Sequence, residues 1–457
     1  MFLPLWGSRI PYVLNVRFSG FVPSHQAYTY PIHTIRVLSG SKNVTIAAGS
    51  AAGTLLDSVG PLNPHLYYPN QIFAQDWVFE GLCYYGQDGV IEPALAVSWI
   101  ETSIGQGQRV TFQLRQGVKF HDGTDFDCQA VKLNFDHVLQ EVVKKRHEWH
   151  GAPQFLSNWY CNNDYEFVLE TSKPYYPLLQ ELTYVRPLRI AAPSSFANGT
   201  DTDPATANSC NAGGFGGEKW DHLEKNITCG GLTAPIGTGP FRYIGAEALT
   251  EDIDHTITFQ SHINYWGGAP DIDFVILKYY ENTTDVFNDL VAGKLDMALG
   301  KGPLLSNQVK DVRDIHSATL EVSHSDVLQH SFLILNTGRV PTNDISTRRA
   351  IIHAINKGKF IEEEFAGIEQ PVEQLLPRSS PYCDVDLTPK WSYDMDKAIL
   401  INCPTNEGIS AAAKGGIAAA VIAAVGLALF VCHLILREKQ GKPIFGLKVK
   451  EVDMVSA

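Results

Sequence analysis

Two arginines carry the clearest chemistry in this sequence. Arg146 lies in the run Arg146-His147-Glu148-Trp149-His150, and Arg186 lies in Val185-Arg186-Pro187. A guanidinium fork matches a carboxylate through two parallel hydrogen bonds, and an aromatic plane such as Trp149 can cover an apolar stem. The same arginines also suit ordinary surface ion pairs, which are worth little. His147 and His150 are three apart, so on a helix they share a face and can share a metal ion. A solvated histidine pair at a helix end has the same spacing. No catalytic pattern accompanies them: there is no Gly-x-Ser-x-Gly, His-Glu-x-x-His, P-loop or Cys-x-x-Cys. Carboxylate pairs such as Glu251-Asp252 lie in hydrophilic surface stretches. The chemistry on offer is binding, and the chain reads as no enzyme.

Bulk properties narrow the class. A chain of 457 residues suits two lobes rather than one small domain. With 44% hydrophobic and 19% charged residues it is an ordinary globular protein. A net charge of −13 argues against a nucleic-acid partner, which needs a basic face. It does not identify a cationic ligand, because acidic surfaces also serve solubility.

The elements that must position the arginines can be read from periodicity. Asp127 suits an N-cap, and Val131, Phe135, Val138, Leu139 and Val142 recur at helical spacing behind it. Lys144, Lys145, Arg146 and His147 then suit the C-terminal dipole of that helix. Val110 to Arg115 and Tyr165 to Leu169 alternate as half-buried strands. Arg186 follows a short helix entered through Pro174-Tyr175-Tyr176-Pro177. Residues 197–232, rich in Gly, Asn, Thr and Asp, read as a surface insertion. Phe274–Tyr280, Thr284–Ala292 and Leu295–Leu299 predict strand, helix and strand in a parallel βαβ unit. Residues 1–44 show no sustained period, and Val44-Thr45-Ile46-Ala47 suits a first strand. The opening MFLPLWGSR is a poor signal peptide, being short and interrupted by Arg9. Residues 1–56 are therefore assigned to a poorly defined leader.

Four stretches together carry a family likeness. Pro61-Leu62-Asn63-Pro64-His65 opens a segment that runs through Glu80-Gly81-Leu82 and Asp88-Gly89 to Pro93-Ala94-Leu95-Ala96-Val97-Ser98-Trp99. The others are Gly117-Val118-Lys119-Phe120-His121-Asp122-Gly123, Ala234-Pro235-Ile236-Gly237-Thr238-Gly239-Pro240-Phe241 and Arg348-Arg349-Ala350-Ile351. In this order they resemble the extracytoplasmic solute-binding proteins of the peptide and nickel class, family 5, over roughly residues 57–402. The resemblance implies an α/β, two-lobed, periplasmic-binding-protein-like (type II) fold. It implies a first lobe at 57–300 and a partial, incomplete second lobe at 301–402. It also implies that Tyr67, Ile72, Arg146, Trp149 and Arg186 line a ligand cleft, with no resident cofactor but a metal chelate as a candidate ligand. A histidine that holds metal in nickel-binding members would lie beyond residue 402, so no residue here takes its role. The family's chain continues through its second lobe and returns to the first, whereas here Cys403-Pro404 leads towards an apolar run.

That run, Gly415 to Leu436, holds no Asp, Glu, Lys or Arg, is long enough to cross a bilayer, and is followed by Arg437, Lys439 and Lys442. It predicts one C-terminal transmembrane helix at 415–436, after a juxtamembrane linker at 403–414 and before a cytoplasmic tail at 437–457. The expected localisation is thus a single-pass type I membrane protein with its ectodomain extracellular or luminal. Sequons at Asn43, Asn198, Asn226 and Asn282 fit a secreted glycoprotein. Cys210 and Cys229 bracket the insertion, and Cys383 and Cys403 bracket the last stretch before the span. Both pairs suit local disulfides, although sequence does not fix connectivity. The function expected is membrane-anchored binding of a nickel or other metal chelate or a short peptide, in uptake or sensing. A transporter or partner chain would complete the cleft. The alternative, of another class, is a scaffold for adhesion or reception that has lost its ligand.

Overall fold

The computed structural model describes residues 2–26, 29–47, 62, 64–65, 74–86, 89–139, 151–185, 187–196, 232, 234–249, 254–278, 280–376, 378, 383, 385 and 391–402. Strands β1 (Phe2–Ser8), β2 (Pro11–Asn15), β3 (Phe18–Ser19), β4 (Arg36–Val37) and β5 (Asn43–Ala47) precede helix α1 (Gln75–Val78). Strands β6 (Cys83–Tyr85), β7 (Ile91–Pro93), β8 (Ala96–Ile104) and β9 (Gly107–Leu114) lead to helix α2 (Cys128–Val138). Next come β10 (Leu156–Asn163), β11 (Glu166–Thr171), helix α3 (Leu178–Leu182), β12 (Phe241–Leu249), β13 (Asp254–Ser261) and β14 (Phe274–Lys278). Helix α4 (Thr283–Val291), β15 (Met297–Leu299), helix α5 (Ser306–Ile315), β16 (Leu320–His324) and β17 (Gln329–Ile334) follow. The last elements are α6 (Ile345–Ala354), α7 (Lys357–Phe365), β18 (Gln370–Pro371) and α8 (Met395–Asn402).

The chain divides into two compact units. The larger comprises Gly7–Gln329 and Leu376–Val385. Its main sheet has the order β12-β13-β14-β5-β15-β2-β16. Here β14 and β15 both run parallel to β5, which lies between them, so β14-α4-β15 is the expected parallel crossover. Asn282 caps α4 by accepting the Asp285 N–H, and Val286 and Leu290 turn to the core. A second sheet, β10-β11-β9-β8, is antiparallel. Its alternating residues Val110, Phe112 and Leu114 bury against Val131, Phe135 and Val138 of α2, the stripe read from the sequence. Asp127 caps α2 through the Ala130 N–H. A disulfide, Cys128–Cys161, joins the start of α2 to β10.

The first 47 residues depart from the leader expected of them. β2 is an interior strand, antiparallel to both β15 and β16, and Tyr12, Val13 and Leu14 are buried. The Arg17 guanidinium stacks over Phe18, pairs with Asp296 at 2.9 Å and donates to the Asn43 carbonyl. Asp296 also accepts the Thr45 N–H, so one largely buried carboxylate binds the N-terminal segment to β5 and β15. These contacts span up to 279 positions, and sequence periodicity carries no sign of pairing at that range.

The smaller unit comprises Met1–Trp6, His330–Leu375 and Asp386–Ala457. Its sheet has the order β17-β1-β18. Trp6 packs on Phe360 and Phe365 of α7, and α6 packs on α8. Asp344 and Asn356 cap α6 and α7 through the N–H groups of Thr347 and Lys359.

The type I membrane reading is corrected. No helix among the described residues is long and apolar enough to cross a membrane. Residues 403–457, which hold the linker, the apolar run and the basic tail of that reading, lie outside the described residues. Most of the 197–232 insertion lies outside them too, although its base is closed by a bridge between Phe196 and Leu232.

Candidate functional site

The best-defined polar centre of the larger unit is Glu80, 2% exposed and the first residue of the Glu80-Gly81-Leu82 motif. Its Oε1 accepts the hydroxyls of Tyr84 at 2.7 Å and Tyr265 at 2.8 Å. Its Oε2 accepts Thr238 Oγ1 and Trp266 Nε1, both at 2.8 Å. Burial pushes this carboxyl above the usual range, while all four donors pull it down. The Arg115 guanidinium lies 4.0 Å over the Trp266 ring and closes the outer side of the cluster. One carboxylate thus joins β6, the Gly237-Thr238-Gly239 run and the loop after β13.

The glycines of that run are dictated by contact. A Cβ on Gly237 would stand 2.0 Å from the Val78 carbonyl oxygen, and one on Gly239 2.4 Å from that of Trp77. Only bare backbone can cross α1 so closely. Two histidines hold the far side of the crossing. His121 Nε2 lies 2.9 Å and His262 Nδ1 3.3 Å from the Gly239 carbonyl oxygen. Burial lowers His121 to about 3 and lowers His262 as well, so both act as neutral donors.

Beneath this frame lies Asp76, on α1. Its Oδ2 accepts the Tyr30 N–H at 3.0 Å, and Trp77 Nε1 donates to the Tyr30 carbonyl at 2.7 Å. Its Oδ1 is buried without a hydrogen-bond partner. Arg189, 2% exposed, acts on Asp76 electrostatically while its Nε and Nη2 donate to the carbonyls of Tyr184 and Thr183. Gln26 Nε2 reaches Thr183 Oγ1 at 3.3 Å. Burial drives the Asp76 carboxyl up to about 7, against the pull of Arg189 and of the Tyr30 N–H.

The cleft residues named from the resemblance lie outside the described residues: Tyr67, Ile72, Arg146, His147, Trp149, His150 and Arg186. Their flanks are described. Residue 73 is followed by Ala74 and α1, which carries Asp76. After the 140–150 stretch in the sequence, the Ala152 N–H is held by Glu181 Oε2 at 2.8 Å on α3. Arg186 stands between Val185 and Leu188, both buried. Ala152, which follows the 140–150 stretch, and the neighbours of Arg186 thus meet at one segment, 181–189. No group of three or more His, Cys, Asp or Glu fit to hold a metal occurs among the described residues.

The other named positions divide similarly. Asn43 opens β5 and is half-buried, and Asn282 is the exposed cap of α4. Asn198, Asn226, Cys210, Cys229 and Cys403 lie outside the described residues, whereas Cys383 is half-buried. The disulfide that is present, Cys128–Cys161, was not singled out from the sequence. Asp76 was not either, and Glu80 was read only as part of its motif, since a lone carboxylate carries no local signal for its partners.

Comparisons with known proteins identify the family. The profile of the bacterial extracellular solute-binding proteins, family 5 Middle, matches residues 90–400. The nickel-binding periplasmic protein of Escherichia coli is 33% identical over 341 residues, covering 75% of this chain and 58% of that protein. Heme-binding protein A of Haemophilus influenzae is 27% identical over 315 residues, covering 67% of this chain and 52% of that one. Among solved structures, NikA from Brucella suis in complex with Fe(III)-EDTA aligns with a TM-score of 0.59 and 29% identity. That alignment covers 79% of this chain and 63% of the other. The chain spans little more than half the length of the curated relatives it matches. With the profile covering well over half of its residues, the chain belongs to the bacterial extracellular solute-binding proteins, family 5.

Proposed function

We propose that this chain binds a small solute, a metal chelate or a short peptide, and delivers it to an ABC-type transporter without catalysing a reaction. The observation that carries this reading is the 33% identity to a nickel-binding periplasmic protein along most of the chain. It is supported by the two arginines and the tryptophan of the resemblance, whose flanking segments converge on α3 and Arg189. In this reading Arg146 and Arg186 take the carboxylates of an anionic chelate, and Trp149 covers its apolar face. Tyr67 and Ile72 line the same cleft, and His147 and His150 stand near the metal. Titration calorimetry of the whole chain with nickel(II)–L-histidine, cobalt(III)–EDTA and a tripeptide tests the reading. Micromolar or tighter binding of at least one probe is expected. Failure of all three to bind would leave the chain a scaffold of this fold.

A further inference from the structure

Four strands form the edges of the larger unit's two main sheets, and three of them are blunted. β10 is interrupted by register shifts at Leu156/Asn158 and Cys161/Asn163, and β12 by one at Tyr243/Gly245. β16 is five residues long. Bulges and shortness keep an edge from pairing with another chain. β8 lacks both protections over most of its length. Its shift lies at the start, between Ala96 and Ser98, and Ser98 to Ile104 pair with β9 in unbroken register. That stretch, Ser-Trp-Ile-Glu-Thr-Ser-Ile, holds no Pro or Lys and a single charge, Glu101. β8 is hydrogen-bonded to β9 on one side, and the backbone groups along its other side meet no partner among the described residues. Ile100, 64% exposed, stands in the middle of the stretch.

We propose that β8 is a docking edge for a second copy of this chain, pairing antiparallel with its own counterpart across a two-fold axis to make one continuous sheet. Such a pair sets residues of the same sheet face opposite one another, so the axis must pass at a residue and not between two. With the axis at Ile100, Ser98 faces Thr102 of the other copy and Trp99 faces Glu101. The two Ile100 side chains, exposed in a single copy, then cover each other. With the axis at Glu101, two carboxylates would stand opposite and repel. An axis at Trp99 would bring the shift at Val97 into the ladder. The one charge and the one bulge of β8 thus select the register centred on Ile100. The paired stretch is short, so the dimer is weak and forms with concentration. The charge of −13 on each copy opposes approach and is screened by salt, so association strengthens as salt is added. None of this depends on which solute the chain binds.

Sedimentation velocity of the whole chain from about 1 to about 200 µM, at about 0.15 M salt, tests the pairing. Wild type should shift reversibly from monomer towards dimer over that range. Ile100→Lys sets two ammonium groups opposite each other from an exposed position. It should weaken association at least tenfold and leave the melting temperature within about 2 °C of wild type. Ile100→Cys should form a chain-to-chain disulfide under mild oxidant, since directly opposite residues stand with Cα atoms about 4.5–5.5 Å apart. Ser98→Cys, which faces Thr102 in this register, should not, and wild type under the same oxidant controls for the native cysteines. If Ile100→Lys does not fold, the two cysteine variants decide. Wild type that stays monomeric at every concentration would overturn the pairing and leave the edge to an extended segment of another protein. A dimer that Ile100→Lys leaves intact, or cross-linking as strong at position 98 as at 100, would overturn it as well.

Discussion

Arg186 and Asp76 set the terms at the scale of single residues. If Arg186 holds a ligand carboxylate, Arg186→Ala should cost on the order of 1.5–3 kcal/mol of binding, the usual worth of a hydrogen bond to a charged group. Arg186→Lys should restore the charge without the fork, and so only part of the affinity. Calorimetry on the three proteins reads this directly; equal affinities would remove Arg186 from the site. Asp76 gives a pH signature in stability. Its carboxyl is raised to about 7 in the folded state, above the unfolded value of 3.8. A raised acid is most stabilising below the unfolded value, and that stability is lost as pH rises through about 7. Without ligand, the urea midpoint of the wild type should fall from pH 4 to pH 8 relative to Asp76→Asn. Parallel midpoints across that range would place Asp76 in a solvated setting. Neither the setting of Asp76 nor that of Glu80 was legible beforehand. Burial and partners 158 to 186 positions away give Glu80 its role, and a sequence read by local period does not carry them. The Gly237-Thr238-Gly239 run was legible as a tight path; the reason for it, the carbonyls of Trp77 and Val78, was not.

Elements were more legible than their partners. The caps at Asp127 and the 274–299 crossover could be read because each is set within a few residues. The N-terminal strands could not, because β2 has no polar alternation: it is buried between β15 and β16. Deleting residues 2–15 removes that strand with Ile10, Tyr12, Val13 and Leu14, all buried. At roughly 1.5–3 kcal/mol for each buried apolar side chain, the loss matches the whole stability of a typical domain. The deletion should therefore give no cooperative thermal transition. A normal melt would mean that β2 is dispensable. The Cys128–Cys161 bridge closes a loop of 33 positions. It should contribute about 3–4 kcal/mol through the unfolded state. Cys128→Ser with Cys161→Ser should lower the melting temperature by several degrees, and a reductant should do the same to the wild type. No change in either case would show that the bridge does not form in solution. With several cysteines to choose from, pairing across 33 positions had no sequence signal.

The whole molecule carries a net charge of −13, so an anionic chelate is repelled at long range and must be held by local cations. Family membership and α/β class were legible from four spaced motifs, and the profile match over residues 90–400 agrees with them. The membrane-spanning expectation rested on an apolar run and the cations behind it, and no helix among the described residues is long and apolar enough to cross a membrane. A family 5 chain that binds a solute carboxylate should hold it through the Arg186 guanidinium. Titration of the whole chain at neutral pH with nickel(II)–L-histidine, cobalt(III)–EDTA and a tripeptide, against the Arg186→Ala variant, separates the outcomes. Saturable binding of at least one probe, with one site per chain and at least tenfold weaker binding in the variant, is expected. Binding of none of the three probes would contradict solute binding, and equal strength in both proteins would remove Arg186 from the site.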